Sequence, residues 1–165
     1  MGKIIVGLDE SPAAAAALRW AADYARLTGC SLHAVHAAEL PYHPAFGGVN
    51  GLVAVNDGVG LSEEYRRRIH QLWDDIGPDP AWRLEICLGE PGRILTAQSA
   101  DAEVLVVGTH FHVGLGRVFP GSVSHFCLTH SQIPVIAVPA MASPAQLSGV
   151  EAAGATAARA ASRSA

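Results

Sequence analysis

The residues best suited to chemistry in this chain lie close together, between Gly108 and His125. Gly108 follows the unbroken apolar run Val-Leu-Val-Val at 104–107, a pattern that predicts a strand buried on both faces and ended by the glycine. Gly114 and Gly116 lie in the loop beyond, and Gly121-Ser122 precede apolar positions at Val123, Phe126 and Cys127, extended to His130. That spacing after a serine predicts a helix capped by Ser122 and ending near Ser131. A strand, a glycine-bearing loop and a helix start aim backbone N–H groups at one point, where they carry roughly half a positive charge. The chemistry is anion binding, with phosphate as the guest. The run Gly-Leu-Gly-Arg-Val-Phe-Pro-Gly at 114–121 fits neither a Walker P-loop, which needs Gly-Lys-[Ser/Thr], nor the dinucleotide fingerprint.

Other chemistries have less behind them. His110 and His112 are open to metal or phosphate, but no third ligand stands at a telling spacing. Ser122, Ser124 and His125 lie close in sequence, with His125 three residues after Ser122 on a helix, yet no orienting acid accompanies them, so Ser–His hydrolysis is set aside. Arg117 is either a phosphate partner or a solvated loop residue. Asp9, at a strand end ahead of Ser11-Pro12, serves either a ligand or the following helix. His33 and His36 fall on opposite strand faces and read as core or surface residues.

Half of the chain is apolar and 16% is charged, the composition of a domain with a real core. The net charge of −4 argues against a nucleic-acid partner held by its backbone. Lys3 is the sole lysine, so a phosphate would be met by backbone amides, arginine or a metal ion. Cys30, Cys87 and Cys127 are widely spaced in apolar contexts and read as reduced core thiols. No secretory signal and no run of about 18 apolar residues is visible, which sets the expectation of a cytoplasmic, membrane-free protein.

Elements that could position these groups follow in order. Residues 3–8 read as a first strand, and Ser11-Pro12 opens an alanine-rich helix over 13–27 with Leu18, Ala22, Tyr24 and Ala25 on its apolar face, stopped by Gly29. Residues 31–38 read as a second strand and 41–60 as a long glycine- and proline-rich loop. A helix over 62–75 sets Tyr65, Ile69, Leu72 and Trp73 on one face and leaves Arg66, Arg67 and Arg68 solvated. A third strand over 82–88, a short helix near 93–99 and a fifth strand over 133–139, the prolines at its start and end marking a sheet edge, complete the set. Strands alternating with helices predict an α/β fold, a five-stranded mostly parallel sheet in three layers, with ligands bound beyond the strand ends where strand order reverses. Residues 1–140 form one domain on this reading. The Ala/Ser/Gly-rich tail, 141–165, has little to bury and is expected to be disordered.

Several segments resemble the universal stress protein family. These are Ile-Ile-Val-Gly-Leu-Asp-Glu-Ser near the start, Leu-His-Ala-Val-His, Gly-Glu-Pro, Val-Val-Gly-Thr-His through Gly-Ser-Val-Ser-His, and Ile-Pro-Val-Ile-Ala-Val-Pro. The likeness runs from Lys3 to Pro139 and implies a Rossmann-like fold. Nucleotide-binding members of that family carry Gly-x2-Gly-x9-Gly-[Ser/Thr] around the phosphates of ATP. Gly108 matches the first glycine, and Gly121 with Ser122 match the last pair. Phe111 stands where the second glycine would be, and a left-handed conformation there would cost about 1–2 kcal/mol.

The resemblance implies an adenine nucleotide: ATP with Mg²⁺, with AMP and ADP as alternatives. It places Gly7, Leu8 and Asp9 beside ribose and base, and Ala37 at the adenine edge. Gly108, His110, Phe111, Gly121, Ser122 and Val123 then fall along the phosphates. It further implies a homodimer through the strand from Ile133 to Val138, serving as a stress-response regulator or sensor with a protein partner the sequence does not name. ATP hydrolysis, if any, is expected to be slow, since no residue stands out to orient water or act as base. The alternative is a dimeric interaction module without nucleotide, on the strength of Phe111. A metal enzyme built on His110 and His112 is a third reading.

Overall fold

A computed structural model describes residues 2–38, 63–109 and 122–140. Its elements are β1 (Lys3–Gly7), α1 (Pro12–Thr28), β2 (Ser31–Ala38), α2 (Glu63–Asp74), β3 (Arg83–Leu88), α3 (Pro91–Gln98), β4 (Val104–Thr109), α4 (Val123–His130) and β5 (Val135–Pro139). The five strands form one parallel sheet in the order β3-β2-β1-β4-β5. Chain order therefore reverses between β1 and β4, and β5 lies on an edge, as its prolines predict. The loop at 41–60, the His110–Gly121 stretch and the tail lie outside the described residues.

Two apolar layers sandwich the sheet. Ile4 and Val6 of β1 face the alanines of α1 and, from α2, Ile69 and Trp73. Ile5, one residue out of phase, points to the other face and meets Leu95 of α3 and Cys127 of α4. A period of two thus divides β1 between both layers, and each fully buried aliphatic contributes about 1.5–3 kcal/mol. Ile4, Ile5 and Val6 sit opposite Val104, Leu105 and Val106 of β4, which fixes the central pair in register.

Helix α1 begins where its sequence signals say. Ser11 Oγ accepts the Ala14 N–H at 3.1 Å, Pro12 occupies the first turn, and Gly29 closes the other end at φ 71° with its N–H on the Ala25 carbonyl. Its alanine face lets the first turn lie almost on the sheet backbone. A Cβ added to Gly108 would stand 2.5 Å from the Ala13 carbonyl carbon and 2.6 Å from the Ala14 nitrogen. Gly108 is there for close approach.

Several expectations need correction. Gly108 lies inside β4 rather than ending it, because β5 extends the ladder through Gly108 and Thr109. Tyr24 is 37% exposed and off the buried face, which is set by Leu18, Ala22 and Ala25; it stacks on Trp20 at 5.1 Å. Trp82 precedes β3, its N–H held in a turn by the Asp79 carbonyl. Ile133 precedes β5, its N–H and carbonyl both engaged by the Ser131 hydroxyl. On α4 the buried positions are Ser124 and Cys127, while Val123 is 39% exposed and His130 stacks on Phe126 from outside. Cys30 and Cys87 are only half-buried, although all three thiols are free. Arg67 and Arg68 are exposed, but Arg66 is half-buried and its Nε lacks a hydrogen-bond partner among the described residues.

Because the atoms facing Gly108 are backbone, Gly108→Ala must push α1 off the sheet. The expected cost is about 1–3 kcal/mol, read as a lower urea midpoint with little change in helical circular dichroism.

Candidate functional site

A cleft of about 270 Å³ opens at the carboxyl ends of β1 and β4, where strand order reverses. Parallel α/β sheets bind ligands at such a point. Gly7, Leu8, Asp9, Ala37, Gly108, Ser122 and Val123 all line this one cleft. His110, Phe111 and Gly121 lie outside the described residues, as do His112, Gly114, Gly116 and Arg117.

Three helix starts meet there. At α1, the Asp9 Oδ1 accepts the Ser11 N–H at 2.8 Å while Ser11 caps Ala14. Asp9 is exposed, and its second oxygen has no partner among the described residues. At α4, Ser122 Oγ accepts the His125 N–H at 3.2 Å, and the Ser122 carbonyl takes the Phe126 N–H at 3.0 Å. The N–H groups of Val123 and Ser124 are left without protein partners among the described residues, the orphan donors of a first turn. At α3, Pro91 follows Glu90, whose side chain binds Arg93 at 2.6 Å and makes no cap. Each helix start carries roughly half a positive charge, so the cleft favours an anion without any lysine.

The floor of the cleft is apolar: Val35, Val107 and Leu95. A Cβ on Gly7 would stand 2.9 Å from Leu95 Cδ1, so Gly7 admits that leucine into the floor. Both strand glycines at the cleft are thereby explained by packing.

Pro91 and Leu95 were missed by sequence reasoning, and Ser124 was weighed only beside Ser122 and His125 for Ser–His chemistry, not as a cleft residue. Ser124 is 7% exposed, lines the cleft and shares a hydrogen bond of 3.2 Å with Ser122 Oγ. The Ser-x-Ser spacing at a cap was the available signal. The Ser122 hydroxyl meets the amide of His125, not its ring, which is a cap and no nucleophile–base pair. Among the described residues no group of three or more metal-ligating side chains occurs. Behind the site, burial pushes the Cys127 thiol up to about 11. Burial and the Glu85 carboxylate do the same to Cys87 on the edge strand.

A parallel α/β domain with an anion-ready cleft at its switch point is the class this geometry defines. The model of the universal stress protein family matches residues 1–139, and the chain belongs to that family. The universal stress protein Rv2005c of Mycobacterium tuberculosis is 36% identical over 140 residues, covering 81% of this chain and 44% of that relative. The chain thus spans under half the length of curated relatives such as this one. Among solved structures, the universal stress protein from Archaeoglobus fulgidus in complex with dAMP aligns with TM-score 0.55 and 20% identity, covering 84% of this chain and 98% of that one. A universal stress protein family member from Arabidopsis thaliana with AMP bound aligns with TM-score 0.53 and 18% identity, covering 86% and 94%.

Removing the cap by Ser122→Ala is expected to cost about 0.5–2 kcal/mol in urea unfolding. The two raised thiols also predict a pH effect. A denatured thiol releases its proton near 9.0 and the folded one only near 11, so stability is retained below 9 and falls as pH rises through that window. Urea midpoints measured across the alkaline range check it.

Proposed function

We propose that this chain binds an adenine nucleotide, ATP with Mg²⁺, in the cleft between β1 and β4 and works as a dimeric cytoplasmic regulator of a stress response. The supporting observation is the meeting of the Asp9 carboxylate and the Val123 and Ser124 amides, unpartnered among the described residues, around one apolar floor. The carboxylate suits ribose hydroxyls, the apolar floor suits a base, and the α4 amides suit phosphate. The dAMP and AMP complexes of its structural relatives agree with that assignment. His110, Phe111 and Gly121 of the connecting loop would complete the phosphate end, and Ala37 would meet the base. Mg²⁺, bound with the nucleotide, would supply charge neutralisation of the phosphates.

The dimer would form through β5, whose outer edge is unpaired among the described residues. Residues 141–165 would act as a tail beyond the domain. The rival reading, a dimeric interaction module without nucleotide, is favoured by one observation: Phe111 occupies the second glycine position of the binding motif.

Calorimetric titration of the full chain with ATP and AMP tests the proposal. Binding is expected, and Asp9→Ala should weaken it by about tenfold, the worth of a hydrogen bond to a charged group. No heat at millimolar nucleotide would overturn it. If the native chain is inert and Phe111→Gly binds ATP, the module reading stands instead. Sedimentation velocity should show a dimer that an Ile136→Lys change on β5 dissociates.

A further inference from the structure

His36 is 2% exposed, yet only one of its two ring nitrogens has a hydrogen-bond partner among the described residues. It lies on β2 between Val35 and Ala37, which line the cleft, and its own side chain points to the opposite face of the sheet. Nδ1 sits 2.7 Å from the Leu8 carbonyl oxygen. A carbonyl only accepts, so Nδ1 carries the hydrogen. Nε2 is buried with no hydrogen-bond partner among the described residues, and the Tyr65 ring lies beside the imidazole at 5.3 Å. A leucine would fill this space without stranding a nitrogen. What the imidazole adds is the bond to Leu8.

That bond falls at a telling place. The β1 ladder ends at Gly7, and Leu8 is the last residue before Asp9. The Leu8 N–H donates to the Val35 carbonyl at 2.9 Å, and its carbonyl takes His36, so both polar groups of Leu8 are tied to β2. Asp9 in turn is held on its far side by the Ser11 N–H. We propose that His36, from the face of the sheet opposite the cleft, is a positioning residue that fixes the Asp9 carboxylate at the cleft mouth. Its effect on ligand rests on the nucleotide reading above; its effect on the Leu8–Ser11 turn does not.

The test uses the full chain with His36→Leu, His36→Asn and His36→Gln. The Asn amide nitrogen falls near the place of Nδ1, and that of Gln near Nε2. Two readouts are taken: AMP affinity by calorimetry, and hydrogen exchange of the Ser11 amide, which reports the Asp9 contact. Expected are faster Ser11 exchange and about tenfold weaker AMP binding in His36→Leu and His36→Gln, with both restored in His36→Asn. In an Asp9→Ala background, His36→Leu should change AMP affinity by less than about twofold, since the pathway runs through Asp9. Equal behaviour of the Asn and Gln variants, or an undiminished penalty without Asp9, would overturn the assignment. If His36→Leu does not fold, the Asn and Gln variants decide alone. If the native chain binds no AMP, the nucleotide reading fails by itself and Ser11 exchange decides the positioning role, unchanged protection across the variants being the negative result.

Discussion

The structure depends on how closely the first turn of α1 lies against β4. At Gly108 the separation leaves no room for a methyl group, with helix backbone on one side and strand backbone on the other. Only a glycine opposite an alanine-rich helix allows it, and the run of alanines from Ala13 supplies the helix. This contact brings the Ser11 cap and the Asp9 turn to the same rim as the end of β4, so the packing of one helix sets the geometry of the cleft. The sheet below is held by ordinary burial; the site is held by this approach.

The same principle governs the opposite wall. Gly7 gives way to Leu95, and a Cβ on Gly92 would stand 2.6 Å from the Phe126 ring where α3 and α4 meet. Gly7 and Gly108 therefore each set a distance at the cleft, and Gly92 sets one between α3 and α4 beside it; each acts by what its neighbour can occupy. A glycine in a binding motif is readily credited to the ligand. Here the protein's own atoms fill the space first.

Much of this is legible in the sequence because local signals and burial agree. Ser11-Pro12 and Gly29 bound α1 without help from the rest of the chain, and the apolar runs of β1 and β4 could only be central strands. The cleft residues that follow from strand ends and a cap, such as Asp9 and Ser122, are readable for the same reason. What the sequence hides depends on partners distant along the chain. Leu95 enters the floor because Gly7 admits it, which no periodicity shows. Gly108 stays within β4 because β5 continues the ladder. Residue type alone would put Tyr24 on the apolar face of α1, although a turn of 100° per residue leaves it beside Trp20 at the rim. On α4, Ser124 and Cys127 rather than Val123 face inward, and an eight-residue helix gives too few turns for periodicity to reveal it.

The groups of the cleft that face an anion are backbone amides at helix starts, and its described lining holds no ammonium group. Such dipoles fade within a turn, so an anion would not be held from a distance, and salt would screen what reach remains. Nor could acylation of a lysine side chain switch it off. Selectivity would rest on the spacing of fixed peptide groups, which a chain alters by moving helices rather than by changing charge.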